Sequence, residues 1–160
     1  RIRASVKKPL TGMHVVVQYP CHTRFPSSIV GFEKSSGRPA ILRQLVEALG
    51  ATVDTFSLEY ACCGGSGGFH KASSHEAEAF TKRKYDAIKA ETQAQAMVGS
   101  CITCVMYLDK TQKHLSKDGA EYNLPVFDYN QLLALAQGHS VEQVAKISVI
   151  PREPFLAKVA

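Results

Sequence analysis

The chain has 160 residues, of which 45% are hydrophobic and 21% charged, and this is the composition of a globular domain with a full hydrophobic core. Its formal net charge of +5 permits an anionic substrate or an acidic partner surface. Nucleic-acid binding is not indicated, because aromatic residues are not interleaved with the basic ones. No apolar run approaches the roughly 18 residues of a membrane span, and the first residues do not resemble a secretory signal peptide.

Strand and helix patterns alternate in the first half of the chain. A continuous apolar run over residues 14–19 predicts a central parallel strand, and residues 22–38 are predicted to form a long loop. Residues 39–49 predict a helix with Gly50 as its stop. Residues 52–58 are β-branched at their start and predict the second strand.

The second half continues this alternation. Ser73 and Glu76 form a capping-box pattern that opens a long helix to about Ala94. The elements predicted next are a strand at 94–99, a helix at 101–115, a strand at 124–127 and a helix at 130–136. Beyond residue 147 the tail is predicted to be extended, because Pro151 and Pro154 disfavour helix. The pattern predicts a Rossmann-like α/β fold of about four mostly parallel strands with flanking helices.

Five cysteines are the most informative residues, and they stand in the spacing C-x40-CC-G-x36-C-x2-C: Cys21, Cys62, Cys63, Cys101 and Cys104. Their odd number argues against a secreted disulfide framework, so a cytoplasmic location is expected. Each group of cysteines follows a predicted strand, and the carboxyl ends of parallel strands share one edge of a sheet. We therefore expect the five thiols to meet at that edge as the ligand set of an iron–sulfur centre.

The residues around the cysteines suit such a centre. Cys101 and Cys104 are three residues apart at a helix start, where they share one face and where free N–H groups and the helix dipole favour thiolates. The glycine-rich residues 64–68 let the backbone approach closely and offer N–H groups to sulfur.

Loop residues with basic side chains are candidates for binding an anionic substrate or for hydrogen bonds to sulfur. We interpret these as either site residues or solvated loop charges: His22, Arg24, Arg38, His70 and Lys71. Among them His22 is the preferred candidate, since it adjoins Cys21.

Two other interpretations of the cysteines stay open. Four thiolates can close a tetrahedral zinc site that holds the loops of an assembly subunit. Alternatively, the chain is a dithiol redox protein that works through Cys101 and Cys104 or through a Cys62–Cys63 disulfide. The adjacent pair Cys62–Cys63 favours a cluster, because two neighbouring thiolates fit awkwardly on one tetrahedral ion but can serve two irons.

The cysteine motif resembles that of the CCG domain, which occurs in the B subunits of heterodisulfide reductase and of thiol:fumarate reductase. It also occurs in the E subunit of non-classical succinate dehydrogenases and in iron–sulfur subunits of lactate and glycolate oxidation systems. The likeness extends beyond the cysteines to residues 9–16, 19–22 and 122–133, and it covers roughly residues 8–138.

The resemblance implies an oxidoreductase function. In heterodisulfide reductase this motif binds a noncubane 4Fe–4S cluster through five cysteines, so Cys21, Cys62, Cys63, Cys101 and Cys104 would all be ligands, with zinc as the alternative metal. The implied chemistry is electron transfer and thiol–disulfide redox chemistry on an anionic substrate. The implied partners are the iron–sulfur or flavin subunits of a complex, through which the chain would associate with a membrane.

The resemblance also implies a domain division. Residues 1–138 would form the CCG domain and residues 139–160 a C-terminal extension. Because heterodisulfide reductase has two CCG copies that face each other, we expect this chain to be the C-terminal part of a longer protein. The isolated piece is then expected to bind a cluster but to lack a complete substrate cavity.

Overall fold

The computed structural model describes residues 1–30, 41–65, 68–145 and 148–158. At its centre lies a sheet in the order β2-β1-β3-β4. The strands are β1 (His14–Gln18), β2 (Thr52–Val53), β3 (Ala96–Gly99) and β4 (Val126–Asp128). All three described strand pairs are parallel, which confirms the predicted α/β class with a largely parallel sheet.

Helices flank this sheet and connect its strands. The described helices are α1 (Ile2–Ser5), α2 (Ser27–Val30), α3 (Ile41–Glu47), α4 (Phe69–Ala72), α5 (Ser74–Glu91), α6 (Ile102–Leu115), α7 (Tyr129–Ala136), α8 (Val141–Val144) and α9 (Glu153–Leu156). Two short 3-10 turns in the described chain lie at Cys21–Thr23 and Ser116–Asp118.

The sheet is covered on both faces, which explains why the centre of β1, Val15 to Val17, is apolar. Val15 and Val17 belong to a core that α3, α7 and α9 cover, with Leu42, Leu132 and Phe155 among its members. Val16 points to the opposite face, where residues of α5 and α6 cover it: Tyr85, Ile88, Val105 and Leu108. The cysteines Cys63 and Cys104 belong to this second core.

The second strand is shorter than predicted. The sequence pattern placed it over residues 52–58, whereas β2 ends at Val53. The Asp54 N–H still donates to the Val15 oxygen at 2.8 Å, whereas the Ser57 N–H donates to the Glu91 carboxylate at 2.6 Å instead of to β1. The chain after β2 therefore turns toward α5, with turns at residues 57–60.

The predicted loop at 22–38 is also partly wrong, because α2 lies within it. Residues 31–40 lie outside the described part, so the predicted helix over 39–49 is seen from Ile41; it ends at Glu47, before Gly50.

Helix α5 begins at the predicted place but without the predicted capping box. Ser73 is its N-cap residue, yet its side chain makes no capping hydrogen bond, and the helix ends at Glu91 rather than near Ala94. Complete capping boxes occur instead at Asp128–Gln131 and Ser140–Gln143. In both, a short polar residue is followed three positions later by glutamine, the spacing that marks such boxes in a sequence.

The tail is not extended throughout, since α9 lies within it. Pro154 stands at the start of this helix, where a missing N–H costs no hydrogen bond, so the expectation that proline excludes helix there was wrong. Phe155 packs on Phe127 with ring centroids 5.0 Å apart. Buried Arg152 donates hydrogen bonds to the carbonyl oxygens of Ala145 and Val126. The division at residue 138 stays a prediction.

The buried carboxylate of Asp109 on α6 ties this tail to the domain. It accepts hydrogen bonds from the Ser148 hydroxyl at 2.6 Å and from the Val149 N–H at 2.7 Å. We expect Asp109→Asn to lower the free energy of unfolding by about 1–3 kcal/mol, because an amide nitrogen would face one of these donors. Urea denaturation measures the loss, and limited proteolysis should cut residues 148–158 sooner.

The control for this prediction is Glu121→Gln, which removes an exposed carboxylate from the surface. It should change the free energy of unfolding by less than about 0.5 kcal/mol. Equal effects of the two substitutions would show that Asp109 does not anchor the tail.

Candidate metal centre

The cysteines lie in three segments that begin at the carboxyl ends of neighbouring strands. Cys21 opens the 3-10 turn beyond β1, and Cys101 is the N-cap residue of α6, two residues beyond β3. These two strands end together, since Gln18 pairs with Gly99. Cys62 and Cys63 lie in the segment that follows β2, the other neighbour of β1. The predicted edge of the sheet is therefore the one from which all three cysteine segments depart.

Hydrogen bonds between thiols join part of the set. The Cys104 side chain is hydrogen bonded to Cys63 and to Cys101, as expected for two cysteines that share the first turn of α6. Cys63 and Cys104 are buried, while Cys21, Cys62 and Cys101 are partly exposed. All five are free thiols, so no Cys62–Cys63 disulfide is present. Within the described residues, the thiol–thiol hydrogen bonds do not include Cys21 or Cys62.

Backbone N–H groups of the glycine-rich segment point at the sulfurs. Gly64 N–H donates to Cys62 Sγ at 3.3 Å, and Gly65 N–H donates to Cys63 Sγ at 3.4 Å. Both glycines are required by crowding, because a Cβ on Gly64 would lie 2.5 Å from the Ala77 oxygen and one on Gly65 2.5 Å from Tyr107 Cγ. The predicted close approach is thus confirmed for these two; Ser66 and Gly67 lie outside the described residues.

The pKa values of the two buried thiols, Cys63 and Cys104, are shifted in opposite directions. The hydrogen bond from Cys104 lowers the pKa of Cys63 to about 6, and the Gly65 N–H and the charge of Lys84 act in the same direction against the effect of burial. The hydrogen bond to Cys63 raises the pKa of Cys104 far above its usual range, and burial adds to this. Cys63 is therefore the thiolate of the pair, and a thiolate is the form that binds a metal.

A buried lysine that the sequence analysis did not assign to the site lies beside the thiols. Lys84 on α5 has no exposed surface, and its Nζ donates to the Leu58 oxygen at 2.7 Å. Burial lowers the pKa of Lys84 to about 8, opposed by the charges of Cys63, Cys104, Cys62 and Glu59. The sequence signal was a lysine on the apolar face of a helix.

Of the loop candidates, Arg24 and His70 have defined surroundings. The Arg24 guanidinium donates to the Tyr60 oxygen and lies 5.4 Å from the centre of the Tyr60 ring. The His70 ring lies 5.5 Å from that of Tyr107, whose side chain occupies the space that a Cβ on Gly65 would need. In the described part of the chain, the buried Nδ1 of His70 has no hydrogen-bond partner.

The remaining candidates are less defined. His22 and Lys71 are exposed, and Arg38 lies outside the described residues. A role of these five basic residues at the site stays a prediction.

The donor set suits a sulfur-ligated centre, although the five-cysteine ligand set stays a prediction. Across residues 1–30, 41–65, 68–145 and 148–158, no three Cys, His, Asp or Glu side chains are already grouped to hold a metal ion. The arrangement nevertheless offers soft sulfur donors, N–H groups directed at sulfur and a buried cation. These are the features that stabilise an anionic iron–sulfur cluster.

Fold and site together define a cysteine-rich α/β domain whose cysteine segments depart from the carboxyl edge of a parallel sheet. The family model described as the cysteine-rich domain, CCG, matches residues 15–109. The chain belongs to this family, which confirms the resemblance seen in the sequence.

Several curated proteins are similar to the chain. It is 33% identical over 161 residues to a protein of Archaeoglobus profundus that is described as like the B subunit of heterodisulfide reductase, and the alignment covers 99% of this chain and 54% of that protein. It is 36% identical over 141 residues to the 8-methylmenaquinol:fumarate reductase membrane anchor subunit of Wolinella succinogenes, with 86% of this chain and 47% of that protein covered.

A third relative is the B subunit of the ferredoxin:CoB-CoM heterodisulfide reductase of Methanosarcina mazei, 29% identical over 161 residues, with 99% of this chain and 53% of that protein covered. The relatives are thus named for subunits of reductases, and the chain spans about half the length of the curated relatives it matches. No helix in the described residues is long and apolar enough to cross a membrane.

Proposed function

We propose that this chain is the iron–sulfur domain of a heterodisulfide-reductase-like oxidoreductase complex. In this proposal Cys21, Cys62, Cys63, Cys101 and Cys104 bind a noncubane 4Fe–4S cluster. The observation that carries the proposal is the hydrogen-bonded thiol group of Cys63, Cys104 and Cys101, the first two of them buried, in a chain of the cysteine-rich domain family. When bound, the cluster supplies electron transfer for thiol–disulfide redox chemistry.

The chain's own residues would prepare the site for its ligand role. The Cys63 thiolate accepts hydrogen bonds from Cys104 and Gly65, so it already carries negative charge before a metal binds. Cys104 would lose its proton on binding, because metals are bound by thiolates. Burial of both sulfurs keeps water away from this side of the site.

Partner subunits and substrate follow from the same proposal. The three relatives are named for subunits of reductases, so we propose partner iron–sulfur or flavin subunits here also. A thiol or disulfide with anionic groups is the proposed substrate class, in keeping with the net charge of +5. The location is proposed to be cytoplasmic, with membrane association through partner subunits.

Colour and metal content separate this proposal from the zinc alternative. Protein prepared without oxygen should be brown, absorb broadly in the visible range and give an electron paramagnetic resonance signal when oxidised in the presence of thiol. A zinc site or a dithiol pair would give a colourless protein. Colourless anaerobic protein with zinc bound in place of iron would refute the iron–sulfur proposal.

A further inference from the structure

Lys84 is a charged side chain inside the core that also holds Cys63 and Cys104. It lies on α5 with a relative exposure of 0%, close to Phe56 of the same core. A buried ammonium group is costly unless hydrogen bonds and an opposite charge compensate for the lost water. Its presence here requires such compensation.

Neutral groups compensate only in part. The Lys84 Nζ donates one hydrogen bond to the Leu58 oxygen at 2.7 Å and lies 5.3 Å from the centre of the Phe56 ring. An ammonium group has three donors, and neither a carbonyl oxygen nor an aromatic ring carries a net charge. The counter-charge must therefore come from another group.

The groups whose negative charge acts on Lys84 when they ionise are the sulfurs of Cys63, Cys104 and Cys62 and the carboxylate of Glu59. Glu59 is engaged elsewhere, because its Oε1 lies 3.0 Å from Nη2 of Arg43. Among the described residues, the sulfurs are thus the groups that remain to balance Lys84. The Thr81 hydroxyl, one turn earlier on α5, donates a hydrogen bond to the backbone oxygen of Cys63 at 2.7 Å. The face of α5 that carries Lys84 therefore lies against the segment that contains Cys63.

We infer that Lys84 is a positioning residue that supplies the built-in counter-charge of the cysteine site. Its ammonium group balances the negative charge of the Cys63 thiolate in the metal-free protein. In the loaded protein it balances the ligated cluster, and this second part rests on the proposed function. A reduced cluster carries one more negative charge than an oxidised one, so Lys84 favours reduction.

A double-mutant cycle in the metal-free protein tests the pairing with sulfur. Lys84→Met keeps the length of the side chain and removes its charge, and Cys63→Ala removes the sulfur whose charge acts most strongly on Lys84. Urea denaturation should show that Lys84→Met lowers the folding equilibrium constant about tenfold more with Cys63 present than with alanine there. Effects that add to within about twofold would overturn the inference.

The matched control is Lys89→Met, an exposed lysine on the same helix. It should show no coupling to Cys63→Ala. If Lys84→Met alone does not fold, the double variant should fold as well as Cys63→Ala does. A double variant that is still unfolded would assign Lys84 a packing role and overturn the inference.

The reduction potential of the loaded protein tests the second part. We expect Lys84→Met to lower the potential, Lys84→Arg to restore part of it and Lys89→Met to leave it unchanged. An unchanged potential in Lys84→Met would overturn this part. Preparations without iron and sulfide would instead refute the proposed function, while the metal-free cycle would still decide whether Lys84 balances the sulfurs.

Discussion

Cys63→Ser is expected to lower the iron and acid-labile sulfide content of anaerobically prepared protein at least about tenfold. Cys63 is the buried thiolate of the site, hydrogen bonded to Cys104 and to the Gly65 N–H. A serine hydroxyl is a poor substitute because it stays protonated where the thiol ionises. Metal and sulfide analysis, with the visible spectrum, measures the loss.

The same variant discriminates between the two metals. A tetrahedral zinc site needs four ligands, so the other four thiolates could still close it in Cys63→Ser. Met97→Leu controls for a general effect of core substitution, because it changes a fully buried residue of the same core and conserves volume. Brown, iron-replete Cys63→Ser protein would contradict the assignment of Cys63 as a ligand.

Gly64→Ala should lower the free energy of unfolding by about 3 kcal/mol and reduce cluster occupancy. Gly64 has φ of +92°, and an added Cβ would lie 2.5 Å from the backbone oxygen of Ala77 on α5. A backbone oxygen cannot move as a flexible side chain can, so the loop must shift. The shift would withdraw the Gly64 N–H from Cys62 Sγ. Urea denaturation and iron analysis measure the two effects.

Gly119→Ala is the matched control for this prediction. Gly119 has φ of +83° but open space around the position of a Cβ, so alanine there should cost only about 1 kcal/mol of backbone strain and leave iron content unchanged. Equal losses of stability and iron content in the two variants would show that the close approach of Gly64 to Ala77 does not fix the position of the loop.

The pattern of apolar residues in the sequence predicted the strands and helices that are deeply buried. The run around Val15, Val16 and Val17 predicted a central strand because both faces of the sheet are covered. The cysteine spacing predicted departure from one edge of the sheet, because the topology of parallel strands fixes where their ends lie. Helical spacing predicted that Cys101 and Cys104 share one face, and their side chains are hydrogen bonded to each other.

Features that depend on contacts between distant segments were not predictable. The path of the chain after β2 includes the bond of the Ser57 N–H to Glu91, a residue far away in sequence. The contribution of Lys84 depends on the path that the chain takes after β2, which brings Leu58 to its Nζ. The hydrogen bond between Cys63 and Cys104 requires α6 to pack against the segment that follows β2.

Counting iron and acid-labile sulfide per chain, on protein prepared and kept without oxygen, is the most direct test of a single sulfur-ligated centre. The proposed cluster predicts iron and sulfide in equal amounts, near the content of one 4Fe–4S unit per chain. Full occupancy by zinc, or iron without any sulfide, would contradict it.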